Sequence, residues 1–590
     1  MVFEIKNKVS IVTGGASGIG LAFVKQFLQC GIKGVVIADI NAEAGKKVSE
    51  ELNKEFGVEK VVFVQTDVRD QKSLENAFVI TLNHYKHIDI LINNAGVCME
   101  NQWERTVDIN LKGVIGGMVL GMEKYLRYHK EGDEAVILNL SSISVTEQVY
   151  IMPVYVATKC GVIGLTRNWG DPFHYNRTKV RVLAICPGMT ETPILDNLRH
   201  RLLNEEYTAM YDKVISEFEV LQQPADHVAE VSMSLLEHAP SGSVWIIEGS
   251  EAPYELKHLD KSLFKDNLLK IDTPDHLAKE TMPVLEKAPN GTVWVIENSQ
   301  SPIEYTILHH ADTLSNNILQ KMVFNLKDKV AIVTGGADGI GLALVKQLLI
   351  NKIKGIVIAD INEENGKIKS KELRDEYGSE RVVFVKVDVA DSKALENAFD
   401  MALKHFKNVD ILVNNAGVGN DRQWEREVDI NLKGTINGMV LGIENYLKNH
   451  KQGNEAVIMN LSSITVLQPL PMFPVYVGTK HAIVGLTRNW GHHLHYNRTK
   501  VRVVAICPGV TDTPAMRADI SKLCFNEDYQ YLQQQVIENF TVQSADHVAK
   551  EAMKVLEKAE TGTVWVIEDS KPLYEYKAPD SEEFKKNTLV

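Results

Sequence analysis

Short runs of β-branched and aliphatic residues alternate along this chain with longer stretches whose apolar positions recur at helical spacing. The runs are Val9–Thr13, Gly34–Asp39, Val61–Asp67, Ile88–Asn93, Ala135–Leu140, Val180–Cys186 and Val244–Glu248, and Leu21–Cys30 and Leu74–His84 are helical-period segments between them. Strands that are apolar throughout, not only at alternate positions, suit a parallel sheet covered by helices on both faces. The pattern predicts an α/β fold, doubly wound.

The same pattern then begins again. Residues 1–20, MVFEIKNKVSIVTGGASGIG, reappear at 322–341 as MVFNLKDKVAIVTGGADGIG, fifteen of the twenty positions being identical. The period of 321 holds through Asn93/Asn414, Tyr155/Tyr476 and Pro187/Pro508, and slips by one near Trp245/Trp565. A period this long is a duplicated domain and not a solenoid, whose units run to ~20–50 residues. The expected fold is two tandem Rossmann-type domains, 1–258 and 322–590. A shorter module repeats as well: Asp226–Glu248 recurs as Asp275–Glu297 and again as Asp546–Glu568. Residues 259–321 therefore read as a linker holding an extra copy of the terminal helix–strand unit. Its Thr292–Glu297 strand should seek a sheet edge, in competition with Ser243–Glu248 for the last parallel position of the first sheet.

Composition narrows the partners. With 44% hydrophobic residues, 24% charged residues and a net charge of −13, the chain is of ordinary globular type and lacks the basic footprint of a nucleic-acid or anionic-membrane binder. No apolar run approaches the ~20 residues of a membrane span, and the first residues lack a signal-peptide hydrophobic stretch, so a cytoplasmic setting is expected. The six cysteines show no C-x-x-C pair and read as buried thiols; no metal-ligating cluster is expected.

The first strand runs into Gly14, Ser17, Gly18, Ile19 and Gly20, and its counterpart into Gly335, Asp338, Gly339, Ile340 and Gly341. Glycines here let the backbone turn tightly and a pyrophosphate approach the first amides of the following helix. About twenty residues on, Asp39 and Asp360 end the second strand, which makes the motif a dinucleotide-binding fingerprint. A carboxylate there can accept both ribose hydroxyls of NAD and repels the extra phosphate of NADP. Ser17 and Asp338 offer no cation to such a phosphate. Asp67–Val68 and Asp388–Val389, at the third strand end, are where an adenine contact would fall, the alternative being solvated turn aspartates.

Further motifs follow in order: Asn93-Asn94-Ala95-Gly96, Asn110, Ser142, then Tyr155 and Lys159, and in the second half Asn414–Gly417, Asn431, Ser463, Tyr476 and Lys480. With the glycine turn, this series resembles the short-chain dehydrogenase/reductase family over nearly the whole of both halves. Within it the likeness is to the NAD-dependent 15-hydroxyprostaglandin dehydrogenase branch, through Asn-Asn-Ala-Gly-Val, Trp103-Glu104 and Ile185-Cys186-Pro187-Gly188, while Gly-x-Val-Trp-x-Ile-Glu resembles insect-type alcohol dehydrogenases. The resemblance implies that Asn94, Ala95, Gly96, Pro187 and Gly188 border the cofactor, as do Asn415, Ala416, Gly417, Pro508 and Gly509. It implies that Ser142 and Ser463 hydrogen-bond the substrate oxygen and that Asn110 and Asn431 hold a relay water.

The Tyr-x-x-x-Lys spacing sets both side chains on one helix face. A lysine ammonium and a nicotinamide cation would favour the phenolate of Tyr155 or Tyr476, which would take the alcohol proton, while Lys159 and Lys480 assist and hold the nicotinamide ribose. The expected activity is oxidation of a secondary, apolar alcohol to a ketone in both halves; the alternatives are a carbonyl reductase and a non-catalytic NAD- or lipid-binding module. Met152 and Phe473 stand where the prostaglandin branch has a substrate-binding glutamine, so the alcohol is left open. The apolar series Met189, Ile194, Leu195, Leu198, Leu202, Leu203, Tyr207, Met210, Tyr211, Val214 and Phe218 would suit such a substrate if it lines a pocket. The resemblance also implies pairing through the helix near Leu111–Tyr128 and the helix of Tyr155. Two such surfaces on one chain favour an intramolecular pseudo-dimer with Leu432–Leu447 and the helix of Tyr476.

Overall fold

A computed structural model describes residues 3–146, 149–217, 222–249, 251–257, 293–295, 303–305, 324–525, 527–529 and 541–577. In the first half, strands β1 (Val9–Thr13), β2 (Gly34–Asp39), β3 (Val61–Gln65), β4 (Ile90–Asn93), β5 (Ala135–Leu140), β6 (Val180–Pro187), β7 (Val244–Ile247) and β8 (Tyr254–Glu255) form one sheet in the order 3-2-1-4-5-6-7-8. Every pair is parallel except β7–β8, where Trp245 faces Glu255. The second half repeats the order strand for strand, closing with Trp565 opposite Glu575. The central strands are buried along their length, as their unbroken apolar runs require. The order reverses between β1 and β4, and the carboxyl ends of the strands there open the crevice in which ligands of such sheets bind.

The last parallel position of the first sheet belongs to Val244–Ile247, so the linker strand does not take it. Val293–Val295 pairs instead with Ile303–Tyr305 in a separate antiparallel ribbon. Trp294 faces Glu304 there, the tryptophan–glutamate register of the other two copies. The rest of the expected module at 259–321 lies outside the described residues.

The two halves pack through the helices Pro153–Trp169 and Pro474–Trp490, which carry Tyr155 and Tyr476. Close approach is possible because the contact carries glycines: a Cβ on Gly478 would lie 2.7 Å from Leu165, and one on Gly161 3.2 Å from the Gly478 carbonyl. Lys112 meets Asp429 at 2.6 Å and Lys433 meets Asp108 at 2.6 Å, a reciprocal pair of ion bridges. His174 and His495, both buried, pair through Nε2 with the carbonyls of Pro471 and Tyr150 at 2.8 Å each. One apolar cluster runs through both halves, including Leu111, Leu165 and Trp169 from the first and Leu432, Leu486 and Trp490 from the second. Among the described residues no helix is long and apolar enough to cross a membrane.

Candidate active site

The glycine turn is held from beneath by Asn94, whose Nδ2 donates to the carbonyls of Thr13 at 2.9 Å and Gly14 at 3.0 Å. Asn415 does the same for Thr334 and Gly335. Gly14 is left-handed, at φ 64°, and a Cβ on Gly20 would lie 2.2 Å from the Gly14 carbonyl, so the turn has no room for a side chain at its crossing point. Asp39 accepts from Ala16 N through Oδ2 at 3.0 Å and from Asn41 N through Oδ1 at 2.9 Å, which fixes its carboxylate at the rim. Asp360 is held identically by Ala337 and Asn362.

A cavity of about 740 Å³ joins these groups in the first half, running from Gly14, Ser17, Gly18, Ile19 and Asp39 past Asn94–Gly96 to Ser142, Tyr155, Lys159, Pro187 and Gly188. The residues present fit a dinucleotide: a turn stripped of side chains for the pyrophosphate, a fixed carboxylate for a ribose diol, and a long cleft leading to the catalytic side chains. Asp67 and Val68 line it too, but the Asp67 carboxylate is chelated by Arg69 at 2.6 and 3.0 Å, and Asp388 is paired with Arg426 at 2.5 Å. Each of these carboxylates is thus already paired with an arginine. Ser17 is exposed and its hydroxyl caps nothing, while Asp338 accepts from the amide of Gly339 at 2.7 Å.

The candidate catalytic side chains converge as the spacing predicts. Tyr155 hydrogen-bonds Ser142, and Lys159 Nζ sits 5.6 Å from the Tyr155 ring centre while donating to the Leu140 carbonyl at 2.9 Å. In the second half Tyr476 bonds Ser463, and Lys480 Nζ lies 5.4 Å from the Tyr476 ring and 2.9 Å from the Leu461 carbonyl. Asn110 lies in a π-helical turn, Asp108–Lys112, and is fully buried. Its side chain exchanges two 2.8 Å bonds with the Val97 backbone, and Asn431 repeats this with Val418. Such π-turns free backbone carbonyls and recur at functional sites.

Burial dominates the electrostatics of these groups in the protein alone. Burial pushes the Tyr155 hydroxyl well above its ordinary range and Tyr476 up to about 12, with the serine hydrogen bond pulling the other way. Burial also brings Lys159 and Lys480 down to about 8. Burial therefore outweighs the serine bond, and in the protein alone both tyrosines hold their protons at neutral pH.

Three features were missed in the sequence. Glu100 is fully buried and accepts from the amides of Val154 at 3.1 Å and Tyr155 at 2.7 Å, anchoring the first turn of the catalytic helix; Asp421 does this for Val475 and Tyr476. A lone acid between two apolar motifs was the available signal. In the second half a further acid, Glu427, is buried beside Asp421, where the first half has Thr106 bonded to Met99. The third is Arg201, which lines the first cavity. Of the apolar series, Met189, Ile194, Leu195 and Leu198 reach the cavity wall. Tyr207 points across to the other half, donating to Glu444 at 3.0 Å and accepting from Trp490 Nε1 at 2.7 Å; Phe218 lies outside the described residues.

The model of the short chain dehydrogenase family matches residues 8–203 and 329–523. The chain is similar to the 15-hydroxyprostaglandin dehydrogenase (NAD(+)) of Mus musculus, at 40% identity over 211 residues, 36% of this chain and 78% of that protein. It is similar to alcohol dehydrogenase 2 of Ceratitis capitata at 33% identity over 214 residues, 36% of this chain and 80% of that one. A solved structure, 3-ketoacyl-(acyl-carrier-protein) reductase from Brucella melitensis complexed with NADH, covers 41% of this chain and 97% of its own at 25% identity, with a TM-score of 0.34. The strand order, the convergent Ser–Tyr–Lys–Asn side chains and the family match in each half lead to one conclusion: the chain belongs to the short-chain dehydrogenase family through both of its halves.

Proposed function

We propose that both halves oxidise secondary, apolar alcohols to ketones with NAD. The observation that supports this best is the recurrence, in each half, of a serine-bonded tyrosine, a lysine on the same helix face and a buried asparagine in a π-turn. Asp39, Gly14, Gly18 and Asn94–Gly96 would hold NAD in the first half, with their counterparts in the second. When bound, NAD supplies the hydride acceptor and a positive charge.

Ser142 holds the alcohol oxygen against Tyr155, and Tyr155 removes its proton once nearby positive charge has lowered the phenol from its raised value. Lys159, brought down to about 8 by burial, still carries its positive charge at neutral pH and favours the phenolate, and Asn110 keeps its turn open beside it. Apolar walls at Ile194, Leu195 and Leu198 suit a hydrocarbon substrate. The test is NADH formation, followed by its near-ultraviolet absorbance, with purified protein, NAD and a panel of secondary alcohols. Formation with no member of the panel, or with NADP in preference to NAD, overturns the reading.

A further inference from the structure

Arg201 lines the first cavity together with Cys98, Met152, Ile194 and Leu198, and its charge acts on the Cys98 thiol. Cys98 lies against Met152, Sγ to Sδ 3.1 Å, and within electrostatic reach of the Tyr155 hydroxyl. The arginine therefore stands at the substrate end of the cleft, away from Asp39 and Asp67. It is half-buried, and among the described residues no carboxylate pairs with it. Its neighbour Arg199 is satisfied by Asp212 at 2.8 Å on both nitrogens, and Glu206 pairs with Arg498 of the other half. A guanidinium left without a counter-ion on an apolar wall has five donors and a full charge for an incoming anion, and its planar fork matches a carboxylate.

The second half differs at this place. The segment there runs at an offset of 322, since Leu198, Leu202 and Tyr207 occupy the positions of Ile520, Cys524 and Tyr529 in the corresponding apolar clusters. Arg201 then matches Leu523, Cys98 matches Gly419 and Met152 matches Phe473. The cations near Leu523 are engaged: Arg422 donates to the carbonyls of Ser521 and Cys524, and exposed Lys522 pairs with Asp519.

We propose that Arg201 forms an anion subsite in the first active site, so that the first half selects apolar secondary alcohols bearing a carboxylate while the second half takes uncharged ones. This rests on the reading of each half as an alcohol dehydrogenase and gives the two halves of one chain different substrates. The carboxylate would sit against the guanidinium with the hydrocarbon along Ile194 and Leu198, leaving the carbinol at Ser142 and Tyr155.

The test uses the full chain with one half silenced, Tyr476→Phe to read the first half and Tyr155→Phe to read the second. The substrates are a long-chain secondary hydroxy fatty acid and its methyl ester. The first half should prefer the acid over the ester by about tenfold or more in kcat/KM, a charge-assisted bond's worth. Arg201→Leu should collapse that ratio towards one, mainly through KM, and Arg201→Lys should keep part of it. The second half should show no preference for the acid, and Leu523→Arg should create one. Equal treatment of acid and ester by the first half, or a ratio unchanged in Arg201→Leu, overturns the subsite. Calorimetric titration with the non-hydroxylated fatty acid and its ester keeps the two questions apart. Turnover of neither alcohol sinks the dehydrogenase reading, whereas acid binding that is lost in Arg201→Leu still upholds the subsite, and binding indifferent to the substitution refutes it.

Discussion

Replacing Glu427 with Thr, the residue at the matching position of the first half, should stabilise the protein by an amount that grows with pH. Both Asp421 and Glu427 have no exposed surface, and the two Asp421 oxygens are already occupied by the amides of Val475 at 2.8 Å and Tyr476 at 3.1 Å. Neither Glu427 oxygen is in a well-formed hydrogen bond to a donor. Burial and the adjacent Asp421 push the Glu427 carboxyl far above the carboxylate range, so it keeps its proton in the folded chain. In the unfolded chain it ionises at an ordinary value of about 4.3. A value raised on folding means stability that is present at low pH and lost as pH rises, at about 1.36 kcal/mol per pH unit while only the folded state holds the proton. Between about pH 5.5 and about pH 7.5 that is roughly 2.7 kcal/mol, which Glu427→Thr should recover. Burial raises Asp421 as well, to about 7, but it is present in both proteins and largely cancels in their difference. Urea unfolding of wild type and variant at the two pH values measures that difference directly. A gap of constant size at both values would show that Glu427 holds no proton, and a gap that shrinks with pH would reverse the sign of the argument.

Tyr155→Phe and Tyr476→Phe should each leave the other half's activity, and the double variant should fall by about 10²–10⁴-fold, the share of a general base; loss of all activity in a single variant with folding intact contradicts this. Asp39→Ala with Asp360→Ala should weaken NAD and narrow its advantage over NADP by about 1–3 kcal/mol, read from KM ratios. Burial pushes His495 down to about 4 while its Nε2 meets the Tyr150 carbonyl, so its contribution is present above the unfolded value near 6.5 and lost as pH falls towards 4. At about pH 5 that loss is about 2 kcal/mol, and His495→Gln should flatten the acid limb of the stability profile by that amount; an unchanged limb refutes it.

Chemistry that depends on order along the chain was legible: strand ends deliver the glycine turn, Asn94 and Ser142 to one edge of the sheet, and the helix Pro153–Trp169 brings Tyr155 and Lys159 to them. What depends on a side chain's facing was not. Helical spacing put Leu198 and Tyr207 in one series, yet Leu198 lines the cavity and Tyr207 crosses to Glu444. Asp67 stood at the expected strand end, but its pairing with Arg69 two residues on is a matter of local turn geometry. The phenolate was expected to be favoured by the lysine together with a bound nicotinamide cation; what no spacing reports is the burial that raises the phenol in the protein alone. Glu427 was visible as a difference between the halves, but its meaning comes from being sealed beside Asp421.

The contact between the catalytic helices is built of unlike partners: a Cβ on Gly164 would meet the ring of His481 at 2.7 Å, whereas one on Gly485 would meet the Cys160 sulfur at 2.8 Å. A homodimer with a true twofold axis cannot hold such a pair, because any replacement there is made on both sides at once. Joined in one chain, the two faces can be altered singly, and the candidate sites beside them are made in a fixed one-to-one stoichiometry at any protein concentration. Dilution, which would separate a dimer of two chains, leaves the ratio and the partnership untouched.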